Sequence, residues 1–218
     1  MINSTTITKT IKDIMSPSVI GFTLKIAFLS LLITLLIMWF THGLLESFLA
    51  SYLTWIPWDF LKSAVANLGI ILTGYVIFIA NISIFTSLLS DKLLIKIAKR
   101  HYSDVEQAGE SKISQTLWVN IKATLLFLLL FIIALPFLFI PILGQVVMLF
   151  LWSIMLKEPT EHDINTLFGT HKTKSSRTIS LLASLFNYIP LLNIFTSVFA
   201  QILFLHDMMQ KNNSINKG

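Results

Sequence analysis

The chain has 218 residues, 55% of them hydrophobic and only 12% charged, with a formal net charge of +5 and a pI near 9.5. A soluble domain is about 25% charged; half that share leaves too few charged side chains to solvate a globule of this size, and the mean hydropathy of +0.77 points the same way, to an integral membrane protein. Cysteine is absent, which excludes disulfides, thiolate metal centres and thiol catalysis.

The sequence reads as a single membrane domain over residues 1–218, and its apolar segments are long rather than alternating, which favours helices over a barrel. Residues 1–21 form a polar arm and entrance turn, with Lys9, Lys12 and the helix-start signal Ser16-Pro17-Ser18. The first apolar run is too long for a cleavable signal core and is expected to stay as a signal anchor. The first span is 22–41: Phe22 to Phe40 is nearly all apolar, 19 residues, with Lys25 at its leading end. Residues 42–62 carry Leu44, Leu45, Phe48, Leu49, Tyr52 and Leu53 at helical spacing beside Trp55 and Trp58, so this segment is expected to lie flat at the far membrane face. The second span, 63–90, contains Gly69 and Gly74, which permit close helix approach, and the amides Asn67 and Asn81. An amphipathic helix and polar loop follow over 91–116; Lys92, Lys96 and Lys99 share one face, which is expected to lie on an anionic lipid surface.

The remainder is two interrupted apolar arms, 117–156 and 177–206, separated by a polar loop over 157–176 and followed by a polar, frayed tail over 207–218. The first arm breaks between Pro136 and Pro141, at Ile140-Pro141-Ile142-Leu143-Gly144; the second breaks at Ile189-Pro190-Leu191-Leu192-Asn193, 49 residues later. After each break runs an apolar limb of 15 residues, Ile142 to Leu156 and Leu191 to Leu205. Such a limb reaches roughly 22 Å, against a hydrocarbon core about 30 Å thick. The fold class expected is therefore all-α integral membrane, with two long transmembrane helices plus two proline-broken, half-penetrating helical hairpins.

Charge sets the orientation. Fifteen of the 16 Lys and Arg residues fall in the N-terminal arm and first-span entrance, the 91–122 segment, the 157–177 loop or the tail, and only Lys62 lies between the two spans. With two full spans and two returning hairpins all fifteen share one side, which the positive-inside bias makes the cytoplasm, so both termini are expected there. The basic pI is thus explained by topology and anionic lipid, and no nucleic-acid partner is expected.

No catalytic constellation is found: the eight glycines are dispersed, no phosphate loop or nucleotide motif occurs, and the chain is expected not to be an enzyme and to need no cofactor. The five histidines (His42, His101, His162, His171, His206) are scattered, with none paired at ligand spacing. Glu158, Glu161, His162 and Asp163 lie close together, and are read as a solvated acidic loop rather than a metal site. Gln145 and Asn193 follow the two breaks, where a side-chain amide can satisfy freed backbone groups. If the breaks meet near the membrane middle, Gln145, Asn187, Asn193 and Gln201 line a polar route, since amides solvate anions without fixed charge.

Ile140-Pro141-Ile142-Leu143-Gly144-Gln145, followed by Leu185-Phe186-Asn187-Tyr188-Ile189-Pro190-Leu191-Leu192-Asn193-Ile194-Phe195 and the closing His206-Asp207, resembles the CysZ sulfate-permease and etoposide-induced membrane protein family from Ser16 to about Asp207. The resemblance implies two long helices plus two half-penetrating hairpins assembled as homo-oligomers. For bacterial members it implies an inner-membrane permease or channel that admits sulfate. It further implies sulfate at the start of the first long helix, on a Pro-Gly-x-Arg-Arg-like turn. The matching positions are Pro17, Ser18, Val19, Ile20 and Gly21, so both arginines are replaced. A bidentate guanidinium grip is lost there; Ser16, Ser18, Gly21 and Lys25 at the helix N-terminus remain as the anion-binding candidates. Eukaryotic relatives imply the alternative, a non-transporting membrane scaffold or assembly factor.

Overall fold

The computed structural model describes residues 4–55, 57–102, 107–110, 112–138, 140, 142–170, 173–189 and 192–215. The described residues are helical, with no strand among them: α1 Ser4–Ile14, α2 Pro17–Tyr52, α3 Asp59–Leu89, α4 Asp91–His101, α5 Ile113–Leu138, α6 Leu143–Phe168, α7 Arg177–Ser184 and α8 Thr196–Ile215. Two 3-10 turns, Leu185–Tyr188 and Leu192–Phe195, lie between α7 and α8. Four helical segments are long and apolar enough to cross a membrane: Pro17–Ser51, Asp59–Leu89, Ile113–Phe131 and Leu192–Asn212.

These four differ in what covers them. The apolar window of α3 is 6% buried and that of the last segment 78% buried. Side chains such as Phe28, Trp39 and Phe40 on α2 and Phe60, Leu68 and Ile71 on α3 are exposed, so these helices need lipid around them. By contrast, every residue from Val198 to Met209 is buried.

The chain divides into two compact units, Met1–Leu24 with Ile84–Gly218, and Lys25–Ser83. Within the smaller unit, Asn81 Nδ2 donates to Thr34 Oγ1 at 3.0 Å, which gives that buried-side amide a structural partner. A Cβ on Gly69 would meet Leu49 Cδ1 at 3.2 Å, and one on Gly74 would meet Met38 at 3.6 Å, so the glycines do bring α2 and α3 close. In the larger unit α8 is the central helix. Phe204, Leu203, Ile202 and Leu205 pack among Leu94 and Ile97 of α4, Ile164 and Leu167 of α6, and Ile179 and Ala183 of α7. Each such side chain contributes roughly 1.5–3 kcal/mol of burial.

Three boundaries differ from expectation, and so does what covers one helix. Helix α2 does not stop near residue 41 but continues to Tyr52, because Leu44, Leu45, Phe48 and Leu49 keep helical spacing and one glycine, Gly43, does not end a helix. The loop expected over 157–176 is helical to Phe168. A Lys157–Glu161 pair at 2.8 Å bridges one turn, and Gly169 closes the helix in the left-handed region at φ 65°, donating its N–H to Asn165 O. The tail is helical to Ile215, with Met208 and Met209 in the core. Finally, α4 is amphipathic as expected, yet its apolar face (Leu93, Leu94, Ile97, Ala98) is buried against protein, while Lys92, Lys96 and Lys99 stay exposed. Pro141, Pro190 and Leu191, at the centre of the expected breaks, lie outside the described residues. On either side of them the helices do end: α5 at Leu138, and α7 at Ser184 with a 3-10 turn to Tyr188.

Candidate functional site

The entrance turn is built by α1 ending at Ile14 and α2 starting at Pro17. Ser16 O accepts from the N–H groups of Val19 and Ile20, both at 3.0 Å, and the Ser16 and Ser18 hydroxyls lie 3.3 Å apart. Open space surrounds Gly21, with nothing within 4 Å of where a Cβ would stand, and Lys25 further along α2 is exposed. The α2 N-terminus has no acidic residue in its first turn, so its partial positive charge is uncompensated locally.

At the two breaks, the Tyr188 hydroxyl donates to Gln145 O at 2.5 Å, which ties the start of α6 to the turn after α7. Described residues that flank the two breaks are thus in contact. Gln145 itself is exposed, Asn187 is half-buried with its amide nitrogen lacking a hydrogen-bond partner among the described residues, and Asn193 is buried.

Gln201 belongs elsewhere. It is buried in α8, and its Nε2 lies 3.4 Å from Asp163 Oδ2. The same oxygen accepts from the Ser87 hydroxyl, and Asn120 Nδ2 donates to Ser87 Oγ at 3.2 Å. Asp163 is 1% exposed and its Oδ1 has no hydrogen-bond partner among the described residues. It stands on α6 beyond the apolar limb. Burial pushes its carboxyl up to about 7, helped by the Asp91 charge and opposed by the Ser87 and Gln201 hydrogen bonds. The sequence reading of a solvated acidic loop is thereby corrected: Asp163 is buried, and Glu161 is engaged by Lys157 at 2.8 Å and by the Ser175 N–H at 2.8 Å. The 3.6-residue period would have found this, since Thr160, Asp163, Ile164 and Leu167 fall on one buried face.

Beside this network, α6 and α7 border an open cleft of about 330 Å³ lined by Ser153, Lys157, Glu158, Glu161, Lys174, Arg177 and Ser180 among others. Three cations against two carboxylates give its lining a net positive charge. Arg177 also stacks over the Phe150 ring, 5.5 Å from its centre. In the other unit Asn67 lines a cleft of about 400 Å³ with Glu46, Asp59 and Lys62, of the opposite charge balance.

A further polar cluster was not legible in the linear spacing. Asp13 of α1, 1% exposed, receives Arg100 Nη1 on Oδ1 at 3.1 Å. On Oδ2 it meets His206 Nε2 at 2.9 Å and His101 Nε2 at 2.8 Å. The Tyr102 hydroxyl, held protonated to about 12 by its burial, lies 3.1 Å from His206 Nδ1. Asp207, next in sequence, is also buried and accepts from Ser175 Oγ at 2.8 Å and Lys211 Nζ at 2.7 Å. The closing His-Asp pair thus joins α8 to α1 and to the segment before α7.

Comparison with curated proteins and with solved structures returns no match. A family model described as sulfate transporter CysZ/etoposide-induced protein 2.4 matches residues 6–158. The match takes in the entrance turn, both long helices, α4 and most of the α5–α6 arm; the second break around Pro190 lies beyond it. With four apolar helices of membrane-crossing length and a match over more than half its length, the chain is a membrane protein that belongs to the sulfate transporter CysZ/etoposide-induced protein 2.4 family.

Proposed function

We propose that this protein is a permease or channel for sulfate or a related small oxyanion in a bacterial inner membrane, with both termini cytoplasmic, acting as a homo-oligomer. The observation that carries this reading is the family match over residues 6–158. In this architecture α2 and α3 cross fully and the α5–α6 and α7–α8 arms turn back inside the lipid. One limb of each arm is short enough to support the second point, while Ile113–Phe131 and Leu192–Asn212, in the other limbs, are of crossing length. Residues Arg177 to Tyr188, a short α-helix plus a 3-10 turn, reach roughly 20 Å, short of a core about 30 Å thick. The apolar limb of α6 reaches roughly 22 Å by the same rise.

The chemistry follows from what lines the route. Lys157, Lys174 and Arg177 at the cleft raise the local concentration of anions by long-range attraction. Ser16, Ser18, Gly21 and Lys25 offer a second, weaker station at the α2 N-terminus. Gln145, Asn187 and Asn193 beside the two breaks supply amide donors, while Gln201 acts through the buried Asp163 network. Without arginines at positions 20 and 21 the entrance holds an oxyanion loosely, which suits passage down a gradient. The chain has no nucleotide-binding motif to energise transport.

Labelled-sulfate uptake into vesicles tests this. The reading expects faster uptake than empty vesicles, reduced several-fold in the Lys174→Ala/Arg177→Ala double variant. The missing arginine pair also favours one rival, a non-transporting scaffold. Uptake equal to empty vesicles for sulfate, sulfite and selenate would leave the scaffold standing.

A further inference from the structure

Asp13, His101 and His206 come from three helices, α1, α4 and α8, and from positions 88 and 105 residues apart in sequence. Their candidate ligand atoms all lie within 4.8 Å of one another, buried for Asp13 and His206 and 16% exposed for the His101 side chain. The two Nε2 atoms converge on one carboxylate oxygen. His206 approaches by a hydrogen bond and His101 stands at ion-pair distance, 2.8 Å. Three potential ligand atoms from three helices thus converge on one place.

We propose that Asp13, His101 and His206 form a binding site for a divalent transition-metal ion, Zn²⁺ foremost, that clamps α1, α4 and α8 together. Two imidazole nitrogens and one carboxylate oxygen are a donor set that borderline ions take and that Mg²⁺ and Ca²⁺, which prefer all-oxygen shells, do not. Tetrahedral coordination with bonds of about 2.0–2.1 Å requires the nitrogen–oxygen separations to open to roughly 3.3 Å. The nitrogen–oxygen separations open by about half an ångström and the widest separation, within 4.8 Å, closes by up to about 1.5 Å, within reach of side-chain torsions. The surrounding contacts suit a second shell. Arg100 occupies Asp13 Oδ1, which leaves Oδ2 as the single ligand oxygen, and Tyr102 stands where a metal-bound His206 would donate its Nδ1–H. Arg100 and Lys9, whose ammonium lies 4.9 Å from the Tyr102 ring centre, bring positive charge to the cluster. An ion here therefore gains from an anionic ligand, such as hydroxide or chloride, in its open fourth position.

The test uses the full chain without an affinity tag, purified in detergent and stripped with a chelator. Titration with Zn²⁺ is expected to saturate at one ion per chain and to raise the Tm, because the three ligands are together only in the folded state. Mg²⁺ is expected to do neither, and Co²⁺ to give the visible absorption of a nitrogen- and oxygen-coordinated tetrahedral site. His101→Ala, at the most exposed ligand, and Asp13→Asn are each expected to weaken Zn²⁺ binding at least tenfold. Two results overturn the proposal: no saturable Zn²⁺ binding by the folded parent, or binding that is unchanged in both variants. Should a variant fail to fold, the Zn²⁺, Mg²⁺ and Co²⁺ titrations of the parent decide alone. None of these readouts depends on whether the protein transports sulfate.

Discussion

Replacing Asp163 by asparagine isolates the buried carboxyl on α6. The side chain is 1% exposed, and its pKa is raised from 3.8 to about 7 mainly by burial. An acid whose folded pKa lies above its unfolded value binds its proton more tightly in the fold. Stability from that proton is therefore fully present below pH 4 and is lost as pH rises through about 7. The two values differ by about three units (7 − 3.8), and at about 1.4 kcal/mol per unit the ceiling on this loss is about 4 kcal/mol. Asparagine keeps the shape, and its amide can donate to the Ser87 hydroxyl oxygen, but it has no proton to lose. Thermal unfolding in detergent, followed by tryptophan fluorescence from pH 4.5 to 8.5, should show the parent losing Tm across that window relative to Asp163→Asn. The difference between the two profiles cancels the other titrating groups. Above pH 7.5 the variant should be the more stable of the two. Parallel profiles, or a variant less stable at every pH, would refute the placement of a destabilised carboxylate at this position.

Phe204→Ala should cost about 3–5 kcal/mol, since the ring is wholly buried in the α8 core; denaturant unfolding would measure it, and a loss under 1 kcal/mol would argue against α8 as the central helix. Ile142 is 79% exposed and holds φ at 67°, a region that β-branched residues rarely adopt. Ile142→Gly should accordingly gain about 1 kcal/mol in the same assay, where an isoleucine in a relaxed conformation would instead give a loss. Gly69→Leu should destabilise the α2–α3 pair by about 1–3 kcal/mol because Leu49 already stands 3.2 Å from a Cβ at that site. Gly21→Ala, facing open space, should be near neutral by comparison.

Long apolar runs and their punctuation were readable in the chain. Phe22 to Phe40 and Ser63 to Leu89 lack any partner pattern, so they had to meet lipid, and both lie within helices of spanning length. The entrance turn was readable from Ser16-Pro17, because proline suits the first turn of a helix; proline alone does not mark a break, since Pro159 stands inside α6 and α5 runs through Pro136 to Leu138. Less visible was the burial of charge. Asp13 and Asp163 lie in polar stretches of the sequence, where solvation is the ordinary fate, and His206 and Asp207 stand where the last apolar run gives way to the polar tail. Their partners Arg100, His101, Ser87, Gln201 and Ser175 come from distant segments. Only tertiary packing brings them together. Helix α4 illustrates the same gap: its stripe of Leu93, Leu94 and Ile97 satisfies a membrane surface and a protein core equally well on paper, and the core won. Gln201 resembled the other amides by type alone, and its eight-residue distance from Asn193 along the chain placed it with Asp163 rather than with Gln145.

The proposed anion route past the two breaks can be tested at one atom, since the chain contains no cysteine of its own. Gln145→Cys protein, reconstituted in vesicles, should take up labelled sulfate, lose most of that uptake once a thiol reagent has modified residue 145, and be shielded from the reagent by excess sulfate. Complete modification with uptake unchanged would contradict the route.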